Sequence, residues 1–259
     1  MLTRSGADIT VRDNVVHKLH RPGTDPRALC ARLRAAGEID VVLTPMSGVP
    51  QLVGQRWLTH WPFVETVATE PESVPWAEVA RVLARLHLAP VACRLPAHGW
   101  PARLRRAVDR ARGHQVIARA AAGLPDQVWR AGSADRPHTV VHGDFHLGQL
   151  GRRDPASPWQ LIDVDDLGSG DPAWDLARPA GFWAAGLIPD ADWATFVDAY
   201  RAAGGPAVPP GDPWPVLEPF ARAAVIQAAA HDPCDETLSA ACVRMPQLEK
   251  NSRPKPCLR

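Results

Sequence analysis

Apolar residues follow two different periods along this chain, and the change falls near residue 65. Residues 8 to 21 hold DITVRD and NVVHKLH, two short β-type runs meeting at Asp13-Asn14, a pair that suits a tight hairpin turn because both residues tolerate left-handed backbone. In the second run a period of two places Val16, Lys18 and His20 on one face. A helix is predicted next, with Asp25 as N-cap, Pro26 in its first turn, Leu29, Cys30, Leu33 and Ala36 along one face, and Gly37 as the stop. VVLTP at 41–45 and QRWLTHW at 55–61 read as further strands.

Beyond Val74 the spacing becomes helical. PWAEVARVLARLHLA sets Trp76, Val79, Ala80, Leu83 and Leu86 at the three-and-four spacing of a helix with one buried face. One helix is predicted from 101 to 122, with Arg103, Arg105, Arg106, Arg110 and Arg112 forming a solvated basic face. HTVVHGD and WQLIDVDD read as the two arms of a hairpin around a turn at 151–158, with acids at its ends. Helices at 190–203, 215–230 and 236–248 follow, and the polar tail from Glu249 is expected to fray. The expected organisation is a small lobe over 1–65 and a larger, mainly helical lobe over 66–259.

Composition narrows the function classes. With 259 residues, 46% of them apolar, the chain can bury a sizeable core. A formal charge of +1 provides no field to attract nucleic acid or an anionic membrane. The five cysteines are scattered, with no pattern for a disulfide framework or a C-x-x-C site, which suits reduced thiols. MLTRSGADIT has no signal-like apolar stretch and no run is long enough to span a membrane, so a soluble, cytoplasmic monomer acting on a small molecule is expected.

The densest cluster of chemically useful residues is His142-Gly143-Asp144-Phe145-His146-Leu147-Gly148-Gln149, followed by Leu161-Ile162-Asp163. An acid just after a strand, an amide five residues on and a second acid at the hairpin's far end can converge on one site. Phosphoryl transfer needs that set, with a carboxylate (Asp144) to orient a hydroxyl and oxygen ligands (Gln149, Asp163) to hold magnesium against a triphosphate. A rival reading takes His142, Asp144 and His146 as an H-x-D-x-H metal site on alternate strand positions. Asp165 and Asp166 read as solvent-facing or turn-forming acids. HDPCDET at 231–237 is the richest acidic cluster, readable as helix caps or as a site for an amine.

HGDFHLGQ at 142–149, LIDVDDLGSGDPAWDLA at 161–177 and LARLH at 83–87 resemble the aminoglycoside phosphotransferase and choline kinase family, which has the protein-kinase-like fold. The resemblance implies an α+β, two-lobed architecture and an ATP-dependent kinase of a small-molecule hydroxyl, aminoglycoside-like or sugar-like, with antibiotic resistance or self-protection as a role. It implies Asp144 as catalytic base, Gln149 and Asp163 as Mg2+ ligands, His142 as a brace and Asp175 as a structural acid steadying the loop. Lys18 resembles the lysine that holds the α- and β-phosphates, and Val16 is similar to the residue roofing adenine. The segment from His60 to Glu65, including Trp61 and Phe63, corresponds to the hinge along the adenine edge.

Three departures accompany the resemblance. Gln149 stands where the family has Asn, only Arg4-Ser5-Gly6-Ala7 stands where a glycine-rich loop would, and no acid lies between Pro26 and Gly37 to pair with Lys18. They motivate an alternative in which the chain binds nucleotide or ligand with little turnover, and a kinase of a primary metabolite such as an amino alcohol is a third reading.

Overall fold

A computed structural model describes residues 6–67 and 74–252, with side chains described as far as Met245. Arg4 and Ser5 and the chain end beyond 252 lie outside the described residues. Strands β1 (Asp8–Arg12) and β2 (Val15–Leu19) form the expected hairpin, and Asp13 and Asn14 take φ of 50° and 60°, the left-handed pair that a two-residue turn of this hand requires. β3 (Gln51–Val53) and β4 (Arg56–Pro62) complete a four-stranded antiparallel sheet in the order β1-β2-β4-β3. β3 has no counterpart in the sequence reading, because its three residues are too few to show a period and are all exposed. VVLTP forms no strand of that sheet; Leu43 N instead donates to Leu161 O at 2.8 Å, so this segment lies against the second half of the chain.

Helix α1 (Pro26–Glu38) starts where Asp25 accepts from Arg27 N and buries Leu29, Leu33, Ala35 and Ala36. α2 (Trp76–Leu88) buries the face expected of it. The single helix expected over 101–122 is two, α3 (Trp100–Arg110) and α4 (Gln115–Ala122), separated by a turn at Gly113, a residue that weakens helix.

The expected pairing of the two acid-bearing strands is also corrected. β6 (Thr139–Val141) pairs with β9 (Gly168–Gly170), while β7 (Leu150–Arg152) pairs with β8 (Gln160–Leu161) and with β5 (Glu65–Thr66). The turn at 151–158 therefore closes a hairpin of β7 and β8, and Asp144 lies in the loop between β6 and β7. Apolar runs of this length match several partners equally well, and only the surrounding packing selects one.

α5 (Ala173–Ala184), α6 (Asp190–Ala202), α7 (Trp214–His231) and α8 (Glu236–Ser252) build the rest of the helical lobe, and α8 includes the first residues, Glu249 to Ser252, of the tail expected to fray, the remainder of which lies outside the described residues. α5 lies so close to α7 that a Cβ on Gly181 would stand 2.6 Å from Ala221 O. Trp100 and Trp174 stack at 5.1 Å and Phe220 meets Trp174 edge-on at 5.0 Å, a buried aromatic stack under the loop of Asp144. The described cysteines are all unpaired. Among the described residues no helix is long and apolar enough to cross a membrane.

Candidate active site

The loop between β6 and β7 is held from beneath by Asp175. This carboxylate is buried and accepts from His142 N at 2.7 Å, Gly143 N at 3.0 Å and His87 Nε2 at 3.1 Å. Tyr200, the chain's single tyrosine, accepts from Ala207 N at 3.1 Å, which leaves its O–H to donate to His87 Nδ1 at 2.7 Å. That relay fixes the His87 tautomer, with Nε2–H facing Asp175. Burial drives the Asp175 carboxyl upward, but the hydrogen bonds and charges of His87 and His142 more than offset it and hold it below the usual carboxylate range. Gly143 has φ of +82°, and a Cβ there would stand 2.2 Å from Asp166 O, so only glycine allows the loop to turn here. His142 Nε2 sits 2.8 Å from Ile162 O, tying the loop to the residue before Asp163.

Asp144 is buried at the top of this loop between two guanidinium groups. Arg103 Nη2 approaches its Oδ2 at 2.8 Å and Arg178 Nη2 its Oδ1 at 3.8 Å. Burial pushes the Asp144 carboxyl up to about 6 even though both arginines pull the other way. Arg103 also holds Asp166 at 2.8 Å. The expectation of a solvated basic face thus fails for Arg103 and stands for Arg105, Arg106, Arg110 and Arg112, which are exposed. Arg103 lies in the first turn of α3, where Gly99 lets the helix start against Asp166; a Cβ at Gly99 would overlap that carboxylate at 1.8 Å.

Lys18 reaches from β2 to the far half of the chain, with its Nζ 2.6 Å from Asp163 Oδ1 and 2.8 Å from Asp165 Oδ2. Its ammonium loses solvation by burial, and the two carboxylates more than compensate, raising its pKa. Asp165 also meets His20 Nδ1 at 3.2 Å. Burial would raise the Asp165 carboxyl, yet Lys18 and His20 hold it well below the ordinary range. Asp165 and Asp166 are therefore engaged with cations and are not the solvent-facing acids expected. α1 supplies no acid to Lys18, as the sequence anticipated, and Glu38 instead accepts from Ala92 N at 3.1 Å.

Gln149 stands just before β7 and Asp163 just after β8, with Ile162 N donating to Gln149 O at 2.9 Å. Asp163 adopts left-handed backbone at φ 60°, an unusual conformation for a residue other than glycine and one that collects at functional sites. The Gln149 side chain is buried. Among those residues there is no cluster of three or more His, Cys, Asp and Glu fit to hold a metal, which disfavours the H-x-D-x-H reading. Burial, with help from Arg178, His142 and Arg103, drops the His146 pKa to about 3, so its ring is neutral.

Val16 stands opposite Trp61 in the sheet register, with Lys18 opposite Thr59. Trp61 is buried and its Nε1 donates to Thr59 Oγ1 at 3.0 Å. Phe63 carries an exposed ring, and its N–H is engaged by Asn14 O at 2.9 Å. The acids of 231–237 act as helix and turn caps: Asp232 Oδ1 accepts from Cys234 N and Asp235 Oδ1 from Leu238 N.

A four-stranded sheet joined to a larger helical lobe, with a lysine of the sheet reaching acids of that lobe, defines an α+β protein-kinase-like fold, the two-lobed frame of phosphotransferases. The chain belongs to the phosphotransferase enzyme family named APH, whose model matches residues 18–220. It is accordingly a phosphotransferase. Its fold is similar to that of choline kinase from Cryptosporidium parvum Iowa II, at 10% identity over 96% of this chain and 91% of that one, with a TM-score of 0.60. An aminoglycoside phosphotransferase from Streptomyces rimosus shares 18% identity over 86% of this chain and 93% of its own, with a TM-score of 0.56. An AMP-bound spectinomycin phosphotransferase gives 12% identity, 95% and 88% coverage, and a TM-score of 0.52. No curated protein sequence matches the chain.

Proposed function

We propose that this enzyme transfers the γ-phosphate of ATP to a hydroxyl group of a small molecule, with Asp144 orienting that hydroxyl and taking its proton. The observation that carries the reading is the Lys18–Asp163 contact of 2.6 Å, which joins a buried lysine of the sheet to an acid beside the Asp144 loop. Gln149 and Asp163 would hold magnesium, which when bound neutralises charge on the phosphates. A buried carboxamide and a nearby carboxylate are hard-oxygen donors suited to it. Lys18, freed from part of its pairing with Asp163, would meet the α- and β-phosphates, while Asp165 keeps it in place. Val16 and Trp61 would line the adenine side, with Phe63 at its rim, and residues 1–65 would form the nucleotide-side lobe.

The reading of a binding protein without turnover rests on the missing acid in α1. Asp165 fills that role from the other lobe, which favours activity. Lys18→Ala should lower kcat/KM for ATP by about 10²-fold or more, chiefly through KM, as loss of a preorganised cation on the phosphates does. Steady-state kinetics against ATP concentration would check this, and an unchanged KM would remove Lys18 from the site.

Because Asp144 must be ionised to accept a proton and its carboxyl is raised to about 6, activity should fall below that pH and level off above it. Removing the Arg103 charge takes away stabilisation of the carboxylate, so Arg103→Ala should move this limb to higher pH. A kcat/KM profile that stays flat down to about pH 4.5 in both proteins would exclude Asp144 as the titrating base.

The resemblance suggests an aminoglycoside-like or sugar-like acceptor and, with it, antibiotic inactivation. A screen of hydroxylated acceptors for ADP release, followed by phosphorus NMR of the product, tests that suggestion.

A further inference from the structure

A cavity of about 330 Å3 is lined in part by Phe145, His146 and Leu147 of the loop that carries Asp144. Its apolar wall includes Trp76, Phe145, Leu147, Phe182 and Ile188, and its polar groups are His146, Arg178 and Asp192. The volume is near the lower limit for small-molecule sites, which run from about 300 to 1,000 Å3. A polycation would need several carboxylates on such a wall. Among the described residues the wall has one, Asp192, and that residue sits in the first turn of α6, where a negative charge already serves the helix N-terminus.

Arg178 is the cation of the cavity and is incompletely paired. Its Nη2 donates to Gln227 Oε1 at 3.0 Å, its guanidinium carbon stands 5.8 Å from the Trp100 ring, and the nearest carboxylate oxygen, on Asp144, is 3.8 Å away. Its buried Nε has no hydrogen-bond partner. Arg103 already holds Asp144 more closely, at 2.8 Å. A guanidinium that is mostly desolvated, lacks a close counter-ion and faces an apolar chamber is a place for an incoming anion.

We propose that the acceptor is a small hydroxylated molecule with an apolar, ring-bearing body and a carboxylate that pairs with Arg178, and that a polycation is not the acceptor. This rests on the assignment of Asp144 as the phosphoryl-transfer site. The carboxylate would anchor the molecule while the apolar body fills the chamber, bringing its hydroxyl toward Asp144.

The test is a charge series on one skeleton, para-hydroxymethyl benzoate, its amide and the corresponding benzylamine, with kanamycin as the polycation. Binding of each to the full chain with Mg-ATP is measured by calorimetry. The acid should bind about tenfold more tightly than the amide, the scale of one charge-assisted contact, and the amine should bind weakest. Arg178→Gln should reduce the acid-to-amide ratio to within about twofold, and Arg178→Lys should keep the order. If the amine or kanamycin binds more tightly than the acid, or if acid and amide bind equally to the unmodified chain, the proposal is overturned. The wild-type series decides even if Arg178 variants do not fold. The kinase reading is judged separately by Mg-ATP binding and its loss in Lys18→Ala. Loss of the charge order with ATP binding intact overturns only the acceptor class. An intact order without ATP binding overturns only the kinase reading.

Discussion

Asp144→Ala should lower turnover by about 10³-fold or more while Mg-ATP affinity stays within about twofold, the pattern of a residue that acts in the transition state and not in nucleotide binding. The physical reason is the looseness of phosphoryl transfer, in which the carboxylate mainly aims the hydroxyl and receives its proton late. The described neighbours do not replace it: the His146 imidazole, its pKa pushed down to about 3, is a weak base, and Asp166 is held by Arg103 at 2.8 Å. Removing the Asp144 carboxylate leaves Arg103 anchored on Asp166, so the loop should keep its shape. Calorimetric ATP binding alongside single-turnover transfer to a competent acceptor would check both halves. Turnover within about tenfold of the unmodified enzyme would rule out Asp144 as the base.

Asp175→Ala should cost about 3–5 kcal/mol of stability, because it leaves buried donors without an acceptor. The orphaned groups would be the amides of His142 and Gly143 and the Nε2–H of His87, all now within 3.1 Å of the carboxylate. In a chain of this size that loss is roughly a 10 °C drop in the apparent Tm. Asp175→Asn, which keeps one acceptor oxygen, should fall between. The Asp175 carboxyl lies below its ordinary range, so its stabilisation is fully present above that range and is lost as pH falls through the lower folded value. Thermal unfolding of the three proteins at neutral pH would decide it. An unchanged Tm for Asp175→Ala would remove the residue from any supporting role.

Elements with a local cause were legible in the sequence. The β1–β2 hairpin follows from Asp13-Asn14, and α1 from Asp25 and Pro26, because turn and cap chemistry acts within a few residues. HGDFHLGQ and LIDVDDLGSGDPAWDLA announced the loop of Asp144, Asp163 and Asp175 through residue types and order alone. The partner of β6 was misjudged, and the helix over 101–122 was read as unbroken, since neighbouring apolar runs of similar length carry no label for the strand or helix they will meet.

Arg103 shows the same limit at the site. In the sequence it is one arginine among several on a polar helix face. In the structure Gly99 permits α3 to start against Asp166, and that placement alone turns Arg103 onto Asp144. Arg178, likewise, is one residue in a run recognised for Asp175, and the chamber facing it is built from α2, α5, α6 and the Asp144 loop together. The sequence by itself therefore determined the phosphotransferase class and singled out Asp144 as the acid proposed for its centre, because both readings depend on residue types at short, fixed spacing. Tertiary structure decided the charges around that acid and the character of the apolar chamber beside its loop, because electrostatic and apolar surroundings arise from residues that meet only when distant segments pack.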